Sequence, residues 1–172
     1  DSVEVVKAAK ARGRKITCGI TPHHALLDST WLERKDGLDY KMNPPLRPPG
    51  MSLQMMEHLR DGSIDWIESD HAPHTKEEKL RPFAEAPAGV PGIEFMLPLM
   101  LNAVNEGKLT LEKLVALTSE NPARIFGLHV MGWSLVDMNL EKIIQISDIR
   151  SKCGWSPYLG RTIKGWPAQV WL

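Results

Sequence analysis

The sequence predicts an α/β fold in which βα units build a parallel sheet, followed by a small β appendage. Three observations carry this reading. Helix-like and strand-like segments alternate as helix, strand, helix, strand, helix between residues 3 and 127, the order expected of parallel strands joined by crossover helices. The two strand-like runs, residues 16–21 and 64–68, are short and rich in β-branched or aromatic residues, and each leads into a polar cluster. From Leu128 onward the texture changes, with Trp133, Trp155, Trp166 and Trp171 set among glycines, prolines and short β-prone runs such as 142–146.

Val3, Val6 and Ala9 suit an amphipathic helix that Gly13 stops, with Arg12, Arg14 and Lys15 near its end, where the dipole favours cations. Residues 16–21 then read as a strand ended by Pro22, which cannot donate to a ladder. Residues 25–50 are loop-rich. A short extended piece, 39–42, runs into a segment whose prolines 44, 45, 48 and 49 forbid helix and imply a stiff wall. Ser52 is placed to cap a helix that turns Leu53, Met56 and Leu59 inward, and Gly62 closes it before strand 64–68. Apolar residues at 93, 96, 97, 100, 101 and 104 repeat at helical spacing, as do Leu111, Leu114, Val115 and Thr118. Asn121-Pro122 reads as the cap and first residue of a last short helix, closed by Gly127.

With 42% hydrophobic and 24% charged residues, the 172-residue chain has the balance of one ordinary globular domain, which disfavours disorder and fibrous repeats. Twenty-one cationic side chains match twenty-one anionic ones, leaving no global field to hold a polyanion, so a nucleic-acid partner is not expected. Cys18 and Cys153 cannot form a disulfide framework, which fits a reducing compartment. The longest apolar stretch, 95–101, contains Pro98 and is far short of the ~20 residues that span a bilayer. No membrane association is expected, and the polar start Asp1-Ser2-Val3-Glu4 does not read as a signal peptide. A cytoplasmic protein is the expectation.

Asp70, His71 and His74 form the sharpest chemical constellation. A carboxylate followed within four residues by imidazoles at a strand end can bind a divalent metal and accept a proton. The plain alternative is a turn cap with solvated histidines, but the carboxyl ends of parallel strands are where such folds bind ligands. His23 and His24 are adjacent and diverge, so at most one faces a given site, and a hydrogen-bonded structural role is the better reading. Asn43 offers an amide in a proline-stiffened loop; spacing alone makes it a turn residue. Residues 76–79 read as a solvated loop, and Glu94 as favourable placement near a helix start. Methionines 51, 55, 56, 96 and 100 read as core. Residues 89–92, Gly-Val-Pro-Gly, read as a tight turn and not a phosphate loop.

Taken together, Thr21-Pro22-His23-His24, Lys41-Met42-Asn43-Pro44-Pro45-Leu46-Arg47, Ser69-Asp70-His71-Ala72-Pro73-His74 with Lys79, and residues 85–94 resemble dihydroorotase. Ser119-Glu120-Asn121-Pro122-Ala123-Arg124 resembles the closing helices of the wider amidohydrolase family. The resemblance implies the C-terminal part of a (β/α)8 barrel over residues 1–128 and part of a small β domain over 129–172. It implies zinc, dinuclear in the complete protein, and reversible hydrolysis of L-dihydroorotate to N-carbamoyl-L-aspartate in pyrimidine biosynthesis. Carried over by position, Asp70 is the metal-binding general base, His74 the clamp on the substrate carboxylate and Asn43 a ring-amide contact. Ala88 and Gly89 are backbone contacts to the substrate.

The departures from the pattern are informative. The family's His-x-His, its bridging acid and two further histidine ligands all precede the matched segment, and a whole barrel needs about 250 residues. The expected partners are therefore a small-molecule substrate and a missing N-terminal half, with a homo-oligomer or aspartate transcarbamoylase as further partners. Gly19 stands where the family often has an acidic residue, and Glu68 where a small residue usually precedes Ser-Asp. The run from Leu128 to Asp137 is shorter than the family's usual turn and β segment, so residues are expected to be missing at that junction. Two other readings stand beside the enzyme: a non-catalytic subunit that scaffolds aspartate transcarbamoylase, and another cyclic amidase of the hydantoinase, dihydropyrimidinase or allantoinase type.

Overall fold

The structure is a computed structural model and describes residues 2–171. Helix α1 (Ser2–Ala11) ends before Gly13, whose positive φ of 73° makes the turn. Strands β1 (Gly19–Ile20) and β2 (Trp66–Ile67) pair in parallel, with Gly19 opposite Trp66 and Ile20 opposite Ile67. The α/β expectation is met, but the strands are shorter than the runs 16–21 and 64–68. Asp65 explains the early stop on the N-terminal side. Its carboxylate accepts the Cys18 backbone N–H at 2.8 Å and the Lys10 ammonium at 2.7 Å, taking a donor that a longer ladder would have used.

Pro22 opens a single helical turn, α2 (Pro22–Leu26), in place of the expected loop. Thr21 caps it by accepting the His24 N–H. The extended reading of residues 39–42 is corrected: a 3-10 turn occupies Gly37–Tyr40, and another occupies Ser29–Glu33. Gly37 permits this packing, since a Cβ there would stand 2.1 Å from the Leu32 carbonyl oxygen. Helix α3 (Met51–Asp61) starts from Gly50 at φ 94°, so Ser52 lies inside the helix and is not its cap. Met56 and Leu59 are buried as expected, whereas Leu53 is 66% exposed. The buried stripe runs through Met55, Met56 and Leu59; at 3.6 residues per turn Leu53 lies roughly 110° round the helix from its centre.

Two apolar cores share α5 (Met96–Asn105) as a wall. Met100, Leu101 and Ala103 face the first, with Ile20, Ile67, Met56, Leu59, Leu114 and Leu117. Leu99 joins the second, with Phe95, Val90, Tyr40, Met42, Trp155, Tyr158 and Trp166. Met56 and Met100 lie in the first core and Met55 and Met96 pack against it, as expected, whereas Met51 is half-buried and lines the large cavity beside Asp70. Ile93 lies outside the helix and is exposed. Between α6 (Leu111–Val115) and α7 (Asn121–Phe126) the chain stays helical through a π turn at Ala116–Glu120. Asn121 is therefore not a cap; its Nδ2 instead donates to the Asp65 carbonyl at 2.8 Å, fastening α7 to β2. Gly127, at φ 65°, closes the helix as expected.

The appendage is a ribbon of β3 (Trp133–Ile143) and antiparallel β4 (Thr162–Trp171), bulged after Leu135 and after Asp137. Its β4 strand packs on α5, where Gly165 allows close approach: a Cβ there would meet Leu101 Cβ at 2.7 Å. Glu94, read from sequence as a dipole partner, instead accepts the backbone N–H groups of Arg150 and Ser151 and ties the appendage to the start of α5. No helix among the described residues is long and apolar enough to cross a membrane.

Candidate active site

The site is built where β2 ends. Asp70 has φ 43°, the one non-glycine residue with positive φ among those described. Such a conformation is uncommon outside glycine, asparagine and aspartate and marks an imposed turn. Its cause is the neighbouring segment 88–92. His71 bridges Val90 in parallel register, the Ala72 N–H donates to the Val90 carbonyl at 3.0 Å, and Gly92 sits so close to Ser69 that a Cβ would lie 2.3 Å from the Ser69 oxygen. The backbone after β2 is thus stitched to a second loop, and the Asp70 carboxyl is left exposed.

Asp70 lines a cavity of about 780 Å³ together with Glu68, Thr21, His24, Asn43 and Arg47. Asn43, whose peptide bond to Pro44 is cis, also lines a second cavity of about 300 Å³ that contains Ala88. His74 lies beside this loop, its Nε2 3.2 Å from the Ala88 carbonyl. Gly89, at φ 137°, lies against the same ring, since a Cβ there would come within 3.2 Å of His74 Nε2. The structure therefore brings Asp70 and Asn43 to one cavity. It gathers His74, Ala88 and Gly89 at a neighbouring cluster that Asn43 adjoins. His71 points elsewhere, its Nδ1 accepting the Ile93 N–H at 3.4 Å, so Asp70, His71 and His74 do not converge as a ligand set.

Of the adjacent histidines, His24 reaches the large cavity, held by Thr21 Oγ1 at 2.7 Å and the Pro44 carbonyl at 2.9 Å. His23 is fully buried and neither ring nitrogen has a hydrogen-bond partner, which corrects the expectation of a hydrogen-bonded structural histidine. Desolvation, with a smaller contribution from His24, drops its pKa to about 3, so the ring is neutral.

Glu68 and Gly19 belong to one arrangement. The Trp66 indole fills the space that a side chain at position 19 would need, 2.3 Å from where a Cβ would stand, and its Nε1 donates to Glu68 Oε2 at 3.1 Å. The bare backbone of β1 therefore makes room for an aromatic ring that holds an additional carboxylate in the cavity.

The sequence places Lys79 in the family motif but misses its burial and its contacts. The segment read as a solvated loop is a turn of helix, α4 (Lys76–Lys79), capped reciprocally by Thr75 and Glu78. Lys79 is fully buried, and its ammonium donates to the carbonyls of Lys41 at 2.9 Å, Pro87 at 3.1 Å and Gly89 at 3.1 Å. Lys41 Nζ in turn donates to the Phe83 and Ala86 carbonyls, Lys76 pairs with Asp39, and the Trp155 indole donates to the His74 carbonyl at 2.7 Å. The Thr75-x-x-Glu78 pattern was the available signal for the helical turn; nothing local signals that Lys79 is its buried member.

Against known proteins, no family profile matches the chain. It is 43% identical over 155 residues to a dihydroorotase of Methanosarcina mazei, covering 84% of this chain and 34% of that one. It is 40% identical to a dihydroorotase of Bacillus licheniformis, covering 99% of this chain and 42% of that one. Among solved structures it superposes on the L-hydantoinase (dihydropyrimidinase) of Arthrobacter aurescens with a TM-score of 0.90 and 31% identity, covering 98% of this chain and 40% of that one. An inactive dihydroorotase-like domain of a Chaetomium thermophilum multifunctional protein matches with a TM-score of 0.73 at 25% identity, covering 98% of this chain and 45% of that one. These relatives and structural neighbours together place the chain in the amidohydrolase class. Within that class it belongs with the dihydroorotases, of which it spans about two fifths of the length.

Proposed function

We propose that the chain supplies the C-terminal part of a (β/α)8 barrel whose active site opens L-dihydroorotate to N-carbamoyl-L-aspartate, reversibly, in pyrimidine biosynthesis. The observation that carries this reading is Asp70, turned by its positive φ into a cavity shared with Asn43, in a chain about 40% identical to dihydroorotases. Asp70 takes the proton of the attacking water and returns it to the departing amide nitrogen. Asn43 orients the ring amide, His74 donates to the substrate carboxylate, and the backbone of Ala88 and Gly89 completes the pocket.

Zinc is part of the proposal for the whole protein. A catalytic zinc site needs three protein ligands, and no group of three potential ligands assembles among the described residues. This chain's residues therefore fit as the donor of one carboxylate, Asp70, and not as a complete site. The remaining ligands belong to the N-terminal half, with a homo-oligomer or aspartate transcarbamoylase as further partners. The division at residues 128 and 129 and a cytoplasmic setting, consistent with two free thiols, complete the reading.

The structural likeness to hydantoinases supports a second reading, a cyclic amidase for rings without a carboxylate. Assaying the whole protein on L-dihydroorotate, hydantoin and dihydrouracil separates the two. Preference for dihydroorotate is expected; faster turnover of the uncharged rings would replace the first reading with the second. Absence of turnover on all three, with metal supplied, would point to a non-catalytic subunit.

A further inference from the structure

We propose that Lys79 is a positioning residue that sets the spacing between the Asn43 segment and the Ala88–Gly89 loop, acting on substrate binding through them and not on proton transfer at Asp70. The proposal rests on the dihydroorotase reading for what the two segments bind, but the geometry stands apart from it. The ammonium is buried and donates to three backbone carbonyls, one on Lys41 and two, Pro87 and Gly89, flanking Ala88. Lys41 precedes Asn43 by two residues, so one cation grips both walls of the smaller cavity. The Gly89 N–H donates to the Lys41 carbonyl at 3.0 Å, making a closed ring of contacts through Lys79.

An ammonium has three N–H donors and here meets three acceptors, whereas a neutral amine has two and leaves one of these three contacts unmade. Burial favours the neutral form. The charged groups facing Lys79 are Asp39, which supports its charge, and Lys41 and Lys76, which oppose it; the ring of Trp155 lies 5.7 Å from the ammonium. The balance lowers its pKa to about 8, with desolvation the main cause.

The test is Lys79→Met in the whole protein. The KM for dihydroorotate should rise about tenfold while kcat stays within about threefold, the pattern of lost binding and not of lost transition-state contact. Hydrogen exchange should show the amides of 87–90 losing protection while those of α5 keep theirs. A fall in kcat with KM unchanged, unchanged kinetics, or an equal loss of protection in α5 would overturn the proposal. Should the variant not fold, Lys79→Gln, which keeps N–H donors for part of the carbonyl set, gives the answer: the KM and the exchange of amides 87–90 should rise in smaller degree, and unchanged kinetics and exchange would overturn the proposal. Should the unaltered protein not hydrolyse dihydroorotate, the functional reading fails, and the exchange data still decide the role of Lys79.

Discussion

At the end of β1 the chain turns through Pro22 into α2 and buries His23, whereas at the end of β2 it turns through Asp70 at positive φ and leaves the carboxyl in the large cavity. Both ends are polar in sequence, and both belong to one parallel pair. The difference comes from what packs next to each. Thr21 and Pro22 together specify a helical start, and α2 rolls His23 into the interior. No such start follows Asp70, and the 88–92 segment pairs with the chain there and holds the turn open. Packing thus sorts polar residues one by one at a strand end: His23 is taken into the core, while its neighbour His24 and, across the sheet, Asp70 are left in the large cavity.

Replacing Asp70 tests the open end most severely. Asp70→Asn retains a side chain that tolerates positive φ but cannot accept the proton, so turnover of the whole protein should fall by about a thousandfold or more. Near-normal turnover would remove Asp70 from the base role. The next largest effect is at the facing residues of the pair. Gly19→Ala drives a methyl into the Trp66 indole and should destabilise the fold by about 1–3 kcal/mol in denaturant titration. The same change in a Trp66→Val background should cost little, and equal costs in both backgrounds would show that the contact is not responsible.

The closed end predicts a pH effect. His23 has a folded pKa of about 3, below its unfolded value near 6.5. The unfolded chain therefore gains a proton that the folded chain refuses, and stability falls as pH drops from 6.5 towards 3, by at most about 1.4 kcal/mol per unit. His23→Leu should flatten that slope without loss at pH 7, because no hydrogen bond is broken. An unchanged slope would assign the effect to another group. Smallest is His74→Ala, which should raise KM about tenfold, roughly 1.4 kcal/mol, with little change in kcat. An equal fall in kcat would move His74 into the chemical step.

Much of this was legible in the residues. The alternation of elements, the closing role of Gly127, the apolar stripe through Met56 and Leu59 and the placement of Asp70 just past a strand all follow from local periodicity and turn chemistry. The motifs that resemble dihydroorotase agree with the chain's 40–43% identity to dihydroorotases of Bacillus licheniformis and Methanosarcina mazei. The errors fall where a side chain's partner lies far along the chain. Asn121 bonds to Asp65, Glu94 bonds to Arg150 and Ser151, and Lys79 reaches back to Lys41. Each had a satisfactory local explanation as cap, dipole partner or solvated charge, and in each a long-range acceptor or donor won.

By itself the sequence determined the βα order, the carboxylate at the end of β2 and the family motifs, because these depend on neighbours within a few residues. Tertiary structure decided the rest: which histidine is buried, how Trp66 fills the space beside Gly19, and how one buried lysine joins two loops. Burial and hydrogen-bond satisfaction are settled only when distant segments meet, and a buried cation persists where several carbonyls converge to replace its water.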